Sequence, residues 1–286
     1  MTARKIFWTL LAVISAAAAL TGVVDTTSGE LADKALKRAL VTFAVARTLN
    51  GVISVAQGTE VAVEPAGIGV ILGVGQILDP INDLIERFSS VMLVAASSIG
   101  LQLLLLNISA AWGLTVLLVA ASVGAMVALW SPGVARSRWG PMLLRAFLVM
   151  FFLRFAVPLL VIGSNFVFDT FLAGEQAEAT QALEATRSEI EELEEEARVE
   201  PPEDQGWRDR LSSMLDESLL SMNVSERMER LQGAASNASE HIVTLIAIFV
   251  LETVLLPLVF LWLLVEALKS IAIRTMQYRP GTPPEP

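Results

Sequence analysis

Five runs of apolar residues decide the fold class: Ile6 to Val24, Val91 to Ile108, Trp112 to Trp130, Met142 to Gly163 and Ile242 to Val265. Each is close to the roughly 20 residues a helix needs to cross the hydrocarbon core of a bilayer. Over that length only a helix satisfies its own backbone without closing a barrel, and barrel strands would read as short alternating segments. Apolar residues make up 54 % of the chain, and they gather into these runs. The mean hydropathy of +0.61 points the same way, away from a water-soluble fold. The expected class is an all-α integral membrane protein, a multi-span helical bundle.

Arg4 and Lys5 precede the first run, and Ala16 to Ala19 resembles the small-residue end of a secretory signal. Continuation to Val24 is long for a signal core, which favours a retained anchor. Between Thr26 and Ser89 the pattern is mixed. Ala32 to Leu49 reads as a helix with Ala32, Leu36, Leu40 and Phe43 on one face and Asp33, Lys34, Lys37 and Arg38 bordering or opposite it. A crossing at 39–56 would carry Arg47 and Asn50 at mid-depth, where charge is confined to a bundle interior or a wet cavity. An interfacial helix with Arg47 snorkelling is the alternative.

The Glu64 to Gly67 turn and the glycines Gly67, Gly69, Gly73 and Gly75 weaken any helix and suggest a small β-hairpin or re-entrant element. Irregular backbone at membrane depth must be covered by protein or face water, so this segment is a candidate pathway or binding surface. Its spacing matches neither a dinucleotide nor a phosphate-loop fingerprint. Asp79-Pro80 reads as a helix start. Asp79, Asp83 and Glu86 recur at helical spacing, which makes them weak metal candidates that capping explains equally well. Gln102 and Asn107 are candidates for inter-helix bonds, and Trp112 and Trp130 bracket the third run like interfacial rings.

Arg136, Arg138 and Arg145 follow the third run, and Lys269, Arg274 and Arg279 follow the last. The positive-inside rule places both groups in the cytoplasm with the N-terminus, which requires an even number of crossings. Six are expected, five of them in residues 1–163, including the uncertain one at 39–56. Residues 241–268 form the last crossing and 269–286 a cytoplasmic tail. A bacterial inner membrane is the expected setting.

Residues 164–240 have another chemistry. From Asn165 to Glu240, nineteen acidic residues stand against six arginines, a net charge of −13, while the whole chain carries −10. Ala179, Leu183, Ile190, Leu193 and Ala197 form an interrupted seam, and Pro201-Pro202 ends that helix. Trp207, Leu211, Met214, Leu215 and Met222 form a second apolar stripe, and Asn223 followed by Glu226 looks like a cap before another helical run. Two such helices around a proline turn predict an extracytoplasmic hairpin, with residues 175–235 open to a protein partner. The charge repels phosphate, which excludes nucleic acid.

Counted along the fourth and last runs, Arg154 and Glu252 fall at matched depths of roughly 14 to 15 Å, so an intramembrane Arg154–Glu252 pair is expected. Arg145 and Glu266 are expected to pair at the inner interface. Pro158 and Pro257 should bend the same two helices. The chain has no cysteine, one histidine and one tyrosine, and neither His-Glu-x-x-His nor Gly-x-Ser-x-Gly occurs. No enzyme and no cofactor is expected. The reading favoured by sequence is an oligomeric channel or transporter-like protein, with Arg47, Asn50, Gln102, the glycine segment and the Arg154–Glu252 pair along its path. The alternative is a non-enzymatic scaffold or regulatory subunit that binds a partner through the acidic hairpin.

Overall fold

The computed structural model describes residues 2–58, 74–197 and 207–276, and every regular element among them is helical. In order these are α1 (Thr2–Thr21), α2 (Val23–Gly58), α3 (Val74–Ser109), α4 (Trp112–Trp130), α5 (Pro132–Arg136), α6 (Trp139–Phe171), α7 (Ala173–Ala197), α8 (Trp207–Val250), a π-helical turn (Leu251–Leu255) and α9 (Leu256–Met276). Five helical stretches are long and apolar enough to cross a membrane: Val23–Val55, Leu78–Ser109, Trp112–Trp130, Trp139–Phe171 and Glu229–Ile271. The shorter Lys5–Thr21 is apolar as well. The chain is a multi-pass membrane protein by this measure.

The proposed hairpin or re-entrant element falls mostly on residues 59–73, which include Gly67, Gly69 and Gly73 and lie outside the described residues. Gly75 already belongs to α3, and no strand occurs among the described residues. Asp79-Pro80 does not start a helix, because α3 begins at Val74 and holds Pro80 inside. Burial explains the difference: Leu78, Ile81 and Ile85 are buried on both sides of the proline, and that packing outweighs one lost backbone bond. Nor does Asn223 cap a new helix, since α8 runs unbroken through it.

Two compact units organise the chain. The first comprises residues 1–37, 96–170 and 251–286; the second comprises 38–95 and 171–250. In the second unit α7 packs on α8. Gln176, Ala179, Leu183, Thr186, Ile190 and Leu193 of α7 are buried, and so are Leu231, Ala235, Ala238, Ile242, Leu245 and Phe249 of α8. Their separations alternate between three and four residues, the spacing of a left-handed helical bundle. Of the polar members, Gln176 Nε2 donates to Thr42 Oγ1 of α2 at 3.3 Å. On α2 the buried line runs through Ala32, Ala35, Ala39, Thr42, Ala46, Leu49 and Ile53. Alanine, not the larger Leu36, Leu40 and Phe43, takes the inner face, because small side chains allow close helix approach.

The first unit fixes the sense of its helices. Trp130 Nε1 donates to Thr9 Oγ1 at 3.1 Å, and Lys5 lies over the same ring, so the end of α4 meets the start of α1. Trp8, Ala12 and Ala19 of α1 then share a core with Leu118 and Ala125 of α4 and with Phe147, Leu148 and Phe155 of α6. A Cβ on Gly124 would touch Leu143, so α4 runs antiparallel to α6. Asp25 meets Arg154, and Ala32 packs with Val161 seven residues further on in both helices, so α2 runs parallel to α6. It follows that α1 and α2 keep one direction through Gly22. That glycine has φ 67°, a left-handed conformation in which a side chain is strained, and it bends the path without reversing it.

Ala110 and Ala111 play the same part between α3 and α4. Leu106 sits with Ala32 and Val161, while Ser98 bonds Thr253 of the π-turn. Phe260 of α9 crowds Gly163 so closely that a Cβ there would lie 2.7 Å from the ring. Ser98 is therefore further along α6 than Leu106, and α3 descends against α6 as α4 does. Consecutive apolar runs do not alternate in direction at Gly22 or at Ala110-Ala111, which is the alternation the six-crossing expectation assumed.

Candidate functional site

The bend at Gly22 turns the first residues of α2 toward α6. Gly22 accepts backbone bonds from Asp25 and Thr26, so α2 starts immediately after it. Asp25 thereby enters the interior of the first unit, where Arg154 Nη1 donates to Oδ1 at 2.7 Å and Nη2 to Oδ2 at 2.5 Å. Arg154 is 1 % exposed and Asp25 21 %. A fork of two parallel charge-assisted bonds is the strongest geometry available to this pair of side chains. The guanidinium also lies 5.5 Å from the ring centroid of Phe155. Its Nε is buried without a hydrogen-bond partner among the described residues, as are Ser164 Oγ and Asn165 Oδ1.

Arg154 is paired, but its carboxylate is Asp25, not the Glu252 expected from sequence. Depth counting matched the two neighbouring runs and left Asp25 at the outer end of the first one. With α1 and α2 in one direction, Asp25 is carried inward to the level of Arg154 instead. A glycine three residues before an acid, at the end of an apolar run, was the available signal.

Glu252 is buried in the π-turn, next to buried Thr253. The turn has a local cause. Pro257 lacks the amide hydrogen that an α-helix would direct at the Thr253 carbonyl, and its ring crowds that carbonyl. Ser98 Oγ on α3 donates to the same Thr253 oxygen at 3.0 Å. The turn also shifts phase. Continuing the spacing of Leu245, Phe249 and Glu252 would bring Val259, Leu263 and Glu266 inside. Instead Pro257, Phe260, Leu264, Leu268 and Ile271 are half-buried, while Val259, Leu263 and Glu266 are exposed. One extra residue in the turn accounts for the difference.

The expected Arg145–Glu266 pair does not form. Both are exposed, and Glu266 meets Lys269 at 3.7 Å on its own helix, one turn away. Arg47 is exposed on α2, and Asn50 and Gln102 are half-buried on separate helices; no bond joins them. Asp79, Asp83 and Glu86 face outward from α3, opposite the buried Leu78, Ile81 and Ile85. Among the described residues no three acids or histidines converge on a metal position.

Comparison with protein families, with curated proteins and with solved structures finds no match.

Proposed function

We propose that this chain is a non-enzymatic membrane scaffold that anchors a helical bundle in the bilayer and offers the acidic α7–α8 hairpin to a protein partner. The observation that carries this reading is the Arg154–Asp25 fork. A residue lining a wet path would keep its side chain open to water, whereas Arg154 is 1 % exposed and each of its terminal nitrogens donates to one carboxylate oxygen of half-buried Asp25. Ser98 is likewise committed to a carbonyl that proline leaves open. The exposed face of α7 carries Glu175, Glu178, Glu184, Glu191, Glu192 and Glu195, which suits a basic partner. Lys5, Arg136, Arg138 and Arg145 belong to the end of the first unit where α1 begins and α4 ends. On the positive-inside rule that end faces the cytoplasm of a bacterial inner membrane and the hairpin faces out.

The transport reading would instead need a polar path open to water. Reconstitution into liposomes separates the two. Ion and solute flux should stay at the level of empty liposomes, while cross-linking in native membranes should yield a defined heavier species that disappears when Glu184, Glu191 and Glu192 are changed to Gln. Protein-dependent flux would establish transport and reject the scaffold.

A further inference from the structure

α6 opens from a fixed corner. The Trp139 amide donates to Ser137 Oγ at 3.2 Å, and a Cβ on Gly140 would lie 2.9 Å from the Val134 carbonyl, so α5 is folded against the start of α6. The apolar exteriors of neighbouring helices end at the same level. Gly124 of α4 lies beside Leu143 of the antiparallel α6, so Trp130 is level with residue 137, close to Trp139. Thr9 of α1 is held at that level by its bond from Trp130. To one side the outward residues are apolar: Leu10, Val13 and Ile14 of α1, and Val123 and Val127 of α4. At the level itself Trp130 and Trp139 are 58 % and 52 % exposed. Exposed rings that close the apolar exteriors of adjacent helices mark a headgroup boundary.

α6 departs from this pattern at one place. Met142, Ala146, Val149 and Leu153 recur every three or four residues as an exposed apolar stripe, and Arg145 lies exposed within it. A helical side chain leans toward the start of its helix, so Arg145 reaches back toward Trp139, roughly 9 Å away along the axis. Arg138 is exposed as well and lies over the Trp139 ring, 5.6 Å from its centroid. Two guanidiniums thus flank one exposed ring, and neither has an ion-pair partner among the described residues. Residues 1–24 and 112–168, which supply α4, α5 and nearly all of α1 and α6, contain no aspartate or glutamate. Asp25 is taken by Arg154, and Glu266 of α9 by Lys269.

The geometry points to one anionic phospholipid as the ligand of this face. Its phosphate is held between Arg138 and Arg145, because guanidinium groups bind phosphate oxygens through paired N–H donors. Its acyl chain lies along Met142, Ala146, Val149 and Leu153, a stripe roughly 16 Å long and about as deep as one hydrocarbon leaflet. A zwitterionic headgroup would bring a third cation to the two arginines, so a headgroup with net negative charge is selected. The site lies on the first unit and does not depend on what α7–α8 binds, so its failure would leave the scaffold reading standing.

The test titrates delipidated full-length protein in neutral detergent with phosphatidylglycerol and, separately, with phosphatidylcholine, reading bound lipid by native mass spectrometry. The native chain should bind one phosphatidylglycerol about tenfold more tightly than phosphatidylcholine. Arg138→Gln with Arg145→Gln should abolish that preference, with helicity unchanged by circular dichroism. Lys34→Gln with Lys37→Gln removes the same charge from exposed positions of α2 and should leave the preference intact. Its loss in that control would assign the preference to net charge and overturn the site. So would a native chain that binds both lipids alike, a result that requires no variant to fold. Inorganic phosphate in large excess should not displace the lipid, because it has no chain to lay on the stripe. Displacement would overturn the phospholipid as the ligand.

Discussion

The interior around Arg154 and the outer face of α7 both hold arginine–carboxylate contacts, in opposite surroundings. Arg154 and Asp25 meet through two bonds with the guanidinium fully buried. Arg187 and Glu191 meet through one bond of 3.1 Å, one helical turn apart, with both side chains well exposed. Where water is absent, a few charges must be paired completely or not be there at all. Where water is present, many charges are affordable because solvent already satisfies them, and each contact adds little.

The sharpest way to break this comparison is to remove one partner of the buried pair. Arg154→Met or Asp25→Asn should each cost about 3–5 kcal/mol, because a lone charge or an unmatched donor set is left inside. The double variant should recover much of that loss, with a coupling of about 0.5–3 kcal/mol in a thermal-stability cycle in detergent. Strictly additive losses would show that the fork is incidental. The same cycle run on Glu252→Gln with Arg154→Met should show no direct coupling, which separates the observed pairing from the one expected by depth.

Ser98→Ala should come next, at about 1.5 kcal/mol, since it removes the hydrogen bond that α3 donates to the Thr253 carbonyl. In a Pro257→Ala background the loss should shrink, because the restored amide can reach Thr253; an equal loss in both backgrounds would mean that Ser98 acts elsewhere. Gly22→Ala should cost about 1–2 kcal/mol through left-handed backbone strain. It should also weaken the Asp25–Arg154 coupling, a sign that the bend aims the carboxylate. The smallest effect belongs to the exposed pair: Glu191→Gln should change the melting curve by no more than about 0.5 kcal/mol, less at high salt. A larger loss there would mean that the face of α7 is covered in the folded protein.

Hydrophobic length made the membrane class legible, and the seam of α7 was read correctly at Ala179, Leu183, Ile190 and Leu193 because three- and four-residue spacing is a local property. Arg154 was found for the same kind of reason: an arginine within a long apolar run has few places to go. Its partner was not, because pairing depends on the direction of each helix, and direction was lost at Gly22. A single left-handed glycine reads like a turn in sequence and acts here as a bend. The alanine line of α2 was missed because pattern reading favours large apolar residues, while close helix packing selects small ones. The acidic hairpin's partner is illegible for a plainer cause: solvated charge has no geometry of its own.

The π-turn has a consequence for the tolerance of this chain to changes in length. A helix pinned at both ends by packing cannot absorb an added residue by sliding, so a single-residue insertion survives as one wide turn. Leu251–Leu255 is such a wide turn, beside Pro257 and the Ser98–Thr253 bond. The segment is thus where the chain should accept shortening by one residue, provided Pro257→Ala removes the crowding. Deleting Val254 in that background leaves Phe260 over Gly163 and Glu266 outside, in an ordinary α-helix. The same deletion three turns later would rotate everything beyond it out of step.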